Sequence, residues 1–349
     1  MSKTPAYILG ASGFAAGELL RLLHGHPEIE PSRVVSASSP GKPIGELHPH
    51  LAAAYPDLLT TSIEECLAGQ PPGERVAIFS ALPHGFSAAT VDDLVSSLNG
   101  TDMYVVDMSA DFRFEDQFTF EKIYGLPHPA PGRIPDYVCS IPEHSDHTDP
   151  RFVAHPGCFT TSVIIPVVPL IKTGHIKHVM VSSVTGSTGS GRDPKPTTHH
   201  PVRANNLYSY KPLAHRHTRE MEILSGRAGG GQLSVSFVPH SGPFARGIHS
   251  TIFARNDNNI STGDLLELLN SYYDSSPFIF VTNSPPRLKD VVGTNNCHIS
   301  AQADDTTIVL FSVIDNLVKG ASGGAIQWMN RMLGIPEETG LKHPGLGWL

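Results

Sequence analysis

A cysteine stands at the head of an apolar run in His155-Pro156-Gly157-Cys158-Phe159-Thr160-Thr161-Ser162, where Pro and Gly break whatever precedes it. Val163-Ile164-Ile165 then opens a buried helix, which Pro166 and Pro169 are expected to kink or end early. A thiol on the first turn of a helix meets unpaired backbone N–H groups and the positive end of the dipole, and both favour its thiolate. The same N–H groups can hold an oxygen that turns negative when sulfur attacks a carbonyl. The competing reading is a tight turn around an inert thiol, since unpaired cysteines are among the most buried residues.

Other reactive side chains lie downstream. His215 and His217 belong to Ala214-His215-Arg216-His217-Thr218-Arg219, an apparent helix start, and His249 follows Arg246-Gly247-Ile248. Either His215 or His249 can serve as the acid/base that exchanges a proton with the thiol. Between Arg192 and Arg219 six cations (Arg192, Lys195, Arg203, Lys211, Arg216, Arg219) face one acid, Asp193, in a chain of formal charge -8. Interleaved with His and Pro, this excess suits a small anionic ligand better than a nucleic acid. Ser187, in the glycine-rich loop 185–192, and Arg192 are therefore candidate substrate-binding residues.

The elements that must position these groups begin at the first strand. Ala6-Tyr7-Ile8-Leu9 runs into Gly10-Ala11-Ser12-Gly13-Phe14-Ala15-Ala16-Gly17, and a helical period continues through Leu23. Strand, glycine turn and helix are the setting of a dinucleotide-binding site, with a pyrophosphate on the helix N-terminus. The spacing is GxxGxxxG rather than GxGxxG, so position carries the argument more than pattern does. Gly10, Ser12, Gly13, Phe14 and Ala15 are the candidate contacts. The second strand, expected at 33–37, ends without the Asp or Glu that would accept from a ribose 2′-hydroxyl. Ser38, Ser39 and Lys42 offer donors for a 2′-phosphate instead, favouring NADP(H) over NAD. Strands at 76–80 and 104–108 run into Ala81-Leu82-Pro83-His84-Gly85 and Ser109-Ala110-Asp111-Phe112-Arg113. Leu82 and Pro83 join the cofactor set, and Arg113 is placed to hold an anionic substrate group.

The alternation predicts a parallel, doubly wound Rossmann-type α/β domain over residues 1–154, completed by a C-terminal helix at 319–349. Residues 120–155 read as an irregular connection. Strands at 178–184, 233–237, 247–253, 278–281, 298–301 and 307–312, with a helix at 264–273, lack βαβ alternation. They predict an α+β catalytic and dimerisation domain over 155–318 with a largely antiparallel sheet. With 349 residues, 40% hydrophobic and 17% charged, both domains have ample core. Four scattered cysteines give no disulfide framework, and 19 histidines give no HExxH or other metal-ligand set, so no metal is expected. The first strand follows Met1 closely and no apolar run is long enough to span a bilayer, so a cytoplasmic protein without membrane contact is expected; a transit peptide already removed would leave no trace.

The motifs at 10–19, 81–85, 109–113, Pro156-Gly157-Cys158, His-Arg-His-Thr (215–218) and Asp-Asn-Leu-Val-Lys-Gly (315–320), in this order, resemble N-acetyl-gamma-glutamyl-phosphate reductases, relatives of aspartate-semialdehyde dehydrogenases. The resemblance implies NADPH-dependent reduction of an acyl phosphate to a semialdehyde and inorganic phosphate through a cysteine thioester, in arginine biosynthesis. It implies Cys158 as nucleophile, His215 as general acid/base, His217 and Arg113 on the substrate, and Asn316 beside the nicotinamide. It also implies a homodimer or homotetramer. Phe159-Thr160-Thr161 replaces the family's usual Tyr-Pro-Thr, and loop 197–203 resembles a sister enzyme whose aminoadipate phosphate rides on an amino-group carrier protein. The acyl group is thus left open between a free and a carrier-bound form. A non-catalytic NADP-binding sensor is the alternative from another class.

Overall fold

The computed structural model describes residues 3–69, 75–98, 100–147 and 149–348. The chain divides into two compact units. Met1–Pro142, Asp146–Pro156 and Ser322–Leu341 form the first; Glu143–Ser145, Gly157–Ala321 and Lys342–Leu349 form the second.

The first unit is built in chain order from β1 (Thr4–Leu9), α1 (Phe14–Leu23), β2 (Ile29–Val35), α2 (Ile44–Leu47), β3 (Thr60–Thr61), α3 (Ile63–Ala68), β4 (Arg75–Ser80), α4 (Ser87–Ser97), β5 (Asp102–Asp107), α5 (Gln117–Tyr124), β6 (Tyr137–Cys139) and β7 (Phe152–Ala154). Among the described residues its seven strands are all parallel, in the order β3-β2-β1-β4-β5-β7-β6. Burial along β1 and β4 is continuous rather than alternating, as in parallel strands covered on both faces. Strand order reverses at β1, so the crevice beyond the ends of β1 and β4 is where such a sheet takes a ligand.

Three expectations are corrected here. The second strand lies at 29–35 rather than 33–37, leaving Ser36 as a buried turn residue that accepts from the Ser39 N–H. Segment 120–155 is not merely irregular. Asp116 caps α5, and β6 and β7 extend the sheet, although three-residue strands are too short to show a period. The last helix is not 319–349 but α10 (Gly323–Met332), preceded by a wide turn at Val318–Ser322. Gly334, at φ +70°, and Pro336 stop it. Helix α10 joins the first unit through Ser322 Oγ on Ala15 O (2.8 Å) and Trp328 Nε1 on Ser140 O (2.9 Å). Residues beyond 341 belong to the second unit.

The second unit contains α6 (Cys158–Lys172), β8 (His178–Thr185), α7 (His200–Arg203), β9 (Tyr208–Ser209), α8 (His217–Gly229), β10 (Ser234–Ser241), β11 (Ile248–Arg255), α9 (Thr262–Tyr272), β12 (Ile279–Val281), β13 (Cys297–Ala303) and β14 (Thr307–Ile314). The sheet order is β12-β13-β14-β11-β8-β10-β9, with antiparallel pairing except at β12/β13 and β8/β10. Helix α6 packs on one face. Its Ser162 hydroxyl meets Ser250 of β11 (2.8 Å), which meets Ser183 of β8 (2.7 Å), all fully buried.

The prolines do not end α6, which continues through Pro166 and Pro169 to Lys172. Pro169 has no N–H for the carbonyl of Ile165, four residues back. The buried Tyr273 hydroxyl donates to that carbonyl instead (2.5 Å) and accepts from His144 Nε2 (2.6 Å). Burial holds His144 near pKa 4, so it is neutral and can donate there. Replacing Tyr273→Phe leaves the carbonyl and the imidazole without partners, at a cost of about 1–3 kcal/mol. A lowered urea midpoint checks this; an unchanged midpoint contradicts it.

Candidate active site

The glycine turn of the first unit is shaped by two contacts. Gly10 lies at φ +89°, and a Cβ there would sit 2.7 Å from the Ala81 carbonyl, so only glycine lets β1 and β4 end side by side. A Cβ at Gly17 would sit 2.7 Å from the His48 ring, whose Nε2 bonds the Ala11 carbonyl at 2.7 Å. The last glycine of the pattern therefore admits the imidazole that braces the turn. Gly13, the N-cap of α1, has no heavy atom nearer than 3.5 Å to its missing Cβ, and no side chain caps the helix. Half-buried Ser12, Gly13, Phe14 and Ala15 thus surround an open helix N-terminus, which fits a dinucleotide pyrophosphate.

Ser38 is exposed and Ser39 half-buried in the turn after β2. Exposed Lys42 lies 3.5 Å from Glu46, and its backbone is clipped to Thr60. Half-buried Leu82 and exposed Pro83 form the loop after β4. The motifs at 81–85 and 109–113 lock each other. Buried Asp111 accepts from the N–H groups of Gly85 (2.7 Å) and Ala88 (3.0 Å), and His84 Nδ1 accepts from Ala110 N–H (2.9 Å). Arg113 is buried rather than surface-exposed, with Nη2 on the Met108 carbonyl (2.7 Å). Asp111 was not singled out by sequence; its place four residues after a strand was the available signal.

In the second unit Cys158 is the first residue of α6, half-buried and unbridged, behind an extended Gly157 with no side-chain cap. The Gly157 N–H donates to Oε1 of Glu220 at 2.5 Å. Glu220 is only 1% exposed and lies in the first turn of α8. A Cβ on Gly320 would come within 2.6 Å of the Cys158 Cβ, so the glycine of the Lys-Gly pair clears space beside the cysteine.

The His215 ring, half-buried just before α8, packs edge-on against Phe159 (5.5 Å), Phe237 (5.4 Å), Tyr210 (5.8 Å) and His217 (4.7 Å). His217 is itself buried and lies 6.1 Å from Phe159. Burial, reinforced by the Arg216 and Lys211 cations, lowers the His215 pKa from 6.5 to about 4. Its Nδ1 accepts from the backbone N–H of His217 at 3.2 Å. The neutral ring therefore carries its proton on Nε2 and presents a donor there.

His249 faces elsewhere. Ser250, its neighbour on β11, reaches α6, and successive strand residues point to opposite faces. His249 thus lies on the sheet face away from α6, whereas the His215 and His217 rings pack against Phe159 of α6. Half-buried Ser187 is tied through its N–H to the Phe244 carbonyl (2.9 Å), and Arg192 is exposed. Asn316 is buried, accepting from Gly247 N–H (2.7 Å) and donating to Thr188 (3.0 Å), which pins the two loops flanking β8 and β11. Sequence reading missed Tyr210 as a site residue. Its phenol is raised in pKa by burial and then by Cys158, and it also feels Arg203. It lies in a stretch with left-handed Asn205, Lys211 and Leu213 (φ +53°, +43° and +57°), where no period signals it.

A family model described as semialdehyde dehydrogenase, NAD binding domain, matches residues 5–147, and another described as its dimerisation domain matches 158–316. The N-acetyl-gamma-glutamyl-phosphate reductase of Methanopyrus kandleri is 40% identical over 346 residues, covering 97% of this chain and 98% of the relative. That of Methanosphaera stadtmanae is 38% identical over 356 residues, 99% of each. The chain belongs to the N-acetyl-gamma-glutamyl-phosphate reductase family. Among solved structures, aspartate semialdehyde dehydrogenase II of Vibrio cholerae aligns with TM-score 0.71 at 14% identity, over 95% of this chain and 99% of that one. The Candida albicans aspartate semialdehyde dehydrogenase with NADP gives 0.64 at 17%, over 95% and 99%. At those identities the likeness is one of fold.

For a reductase of this family the low pKa of His215 means a neutral ring across the neutral range, charging only as pH falls toward 4. Histidine NMR, assigned with His215→Asn, is expected to place its midpoint well below 6.5. A midpoint near 6.5 would refute the neutral-donor assignment.

Proposed function

We propose that this chain reduces N-acetyl-gamma-glutamyl phosphate to N-acetylglutamate semialdehyde and phosphate, with NADPH as reductant, in arginine biosynthesis. The carrying observation is Cys158 on a helix N-terminus without a side-chain cap, next to Phe159, whose ring packs 5.5 Å from the neutral imidazole of His215, in a chain of this family. Gly10, Ser12, Gly13, Phe14 and Ala15 hold the pyrophosphate in this reading, Ser38, Ser39 and Lys42 receive the 2′-phosphate, and Leu82 and Pro83 flank the cofactor. When bound, NADPH supplies the hydride.

The helix N-terminus favours the Cys158 thiolate, whose sulfur attacks the acyl carbon. The C–S bond forms, the bond to the phosphate oxygen breaks, and phosphate leaves with that electron pair. The first N–H groups of α6 bear the carbonyl oxygen while it is negative. After reduction the thiohemiacetal oxygen holds the charge; its collapse to the aldehyde breaks the C–S bond and returns the thiolate. His215 donates from Nε2 to the oxygen that carries negative charge, and His217 and Tyr210 wall the acyl group. Arg113, Ser187 and Arg192 are assigned to the anionic ends of substrate and to phosphate.

The face of the second sheet opposite α6 carries Val184, Met180, His249, Thr251, Phe253 and Phe311 in register, with Met180 55% and Phe253 38% exposed. An open apolar sheet face is a subunit interface in this reading, and it fits a domain whose family model is described as a dimerisation domain. Light scattering should give a dimer or larger; a monomer at micromolar concentration opposes it. No helix of the described residues is long and apolar enough to cross a membrane; a cytoplasmic location is part of the reading.

The reverse reaction tests the chemistry. With N-acetylglutamate semialdehyde, phosphate and NADP, reduced cofactor should accumulate, and Cys158→Ser should lower the rate by at least about a thousandfold, as loss of a covalent nucleophile does. Equal rates in both proteins would remove Cys158 from the mechanism.

A further inference from the structure

Arg203, the last residue of α7, is only 7% exposed, yet the groups that receive its guanidinium are neutral. Nη1 donates to the Ser241 hydroxyl and Nη2 to the Phe244 carbonyl (3.4 Å), while Nε has no partner. Among the described residues no carboxylate pairs with it. A buried permanent charge without a counter-charge is costly, and folded chains ordinarily pair such groups. Arg203 lines an open cleft of about 400 Å³ together with Ser187, His200, Asn205, Phe244 and Ala245. Ser241, which accepts from the guanidinium, pairs in register with Tyr208 of β9, and Tyr210, two residues on, packs 5.8 Å from the His215 ring, so one short segment borders both the cleft and the imidazole.

We propose that Arg203 binds the carboxylate of the acyl substrate that does not react. This rests on the reading given under Proposed function and adds to it the group that selects the substrate. The phosphoryl end must lie on the carbon that Cys158 attacks. The guanidinium instead takes its partners from the end of β10 and the loop before β11. The Nε–H is sealed, but Nη1 and Nη2 each keep a second N–H, and such a planar fork suits a carboxylate, which accepts two parallel hydrogen bonds. The same anion then supplies the missing counter-charge, before and after the chemical step alike.

The test uses the reverse reaction with N-acetylglutamate semialdehyde and its 1-carboxamide, which keeps shape and loses charge. In the native protein kcat/KM should fall about 100-fold for the carboxamide, with the phosphate KM unchanged. In Arg203→Met the two aldehydes should differ by less than about threefold, and Arg203→Lys should lie between. Calorimetry with N-acetylglutamine, which keeps the carboxylate and cannot react, should show binding that Arg203→Met weakens at least about tenfold. A native protein indifferent to the carboxamide overturns the proposal without any variant, so a misfolded Arg203→Met would not shield it. Retained preference in a folded Arg203→Met, or a change confined to the phosphate KM, overturns it as well. If neither aldehyde is turned over, the catalytic reading falls, and calorimetry still decides the carboxylate site.

Discussion

The buried carboxylate of Glu220 accepts the Gly157 N–H at 2.5 Å and thereby decides where α6 begins. A charge-assisted hydrogen bond in a dry setting is strong because no water competes for either partner. Its consequence is geometric. The residue after Gly157 becomes the first of the helix, so the thiol of Cys158 is carried on the turn whose N–H groups are unspent. Glu220 belongs to the first turn of α8, which opens at His217, and His215 lies two residues before it. One contact thus ties the helix that starts at Cys158 to the helix that follows His215, while Gly320 leaves the cysteine room to stand there.

Holding one end of α6 is useful only if the rest does not flex, and two prolines in its middle would ordinarily allow that. The Tyr273 hydroxyl replaces the bond that Pro169 cannot make. His144, which donates to that hydroxyl, is carried by the short segment Glu143–Ser145, which groups with the second unit although its neighbours in sequence group with the first. Beside it Glu143 pairs with Lys319, both side chains 1% exposed. A buried pair of this kind adds little net stability, but breaking it is expensive, so it fixes position more than it adds energy. Lys319 directly precedes Gly320, so the pair also holds the glycine that faces Cys158.

What the sequence made legible follows from the range of each interaction. Gly10, Gly13 and the apolar helix after them announce a dinucleotide turn because strand, turn and helix are local patterns. Cys158 at a helix start was equally local. The reason for Gly17 was not, because it is the ring of His48, thirty-one positions away by number. Arg113 drew attention as a cation after a strand, yet it is buried on a main-chain carbonyl, and its neighbour Asp111 ties the two loops together. On paper His215 was favoured over its rival His249 by the family resemblance, not by a local pattern. The alternation of β11, fixed by Ser250 touching Ser162, adds a physical reason to separate them. Tyr210 and Arg203 lie in a segment whose backbone turns left-handed at three non-glycine residues, and such a path has no period to read.

The site divides its electrostatic work between backbone and ring. A helix N-terminus offers fixed partial positive charge that costs no reorganisation when an oxygen or sulfur becomes negative. A cationic imidazole beside it would add more attraction, but burial among Phe159, Phe237 and Tyr210, with Arg216 and Lys211 close by, opposes that charge. The ring is left neutral, with one nitrogen spent on the His217 N–H and the other donating. A neutral donor leaves the thiolate to be favoured by the helix alone, and because a neutral imidazole is a very weak acid it gives a hydrogen bond rather than its proton. That hydrogen bond strengthens with the charge on the accepting oxygen, so a donor held where an alkoxide would develop favours a tetrahedral species over a bound ground state.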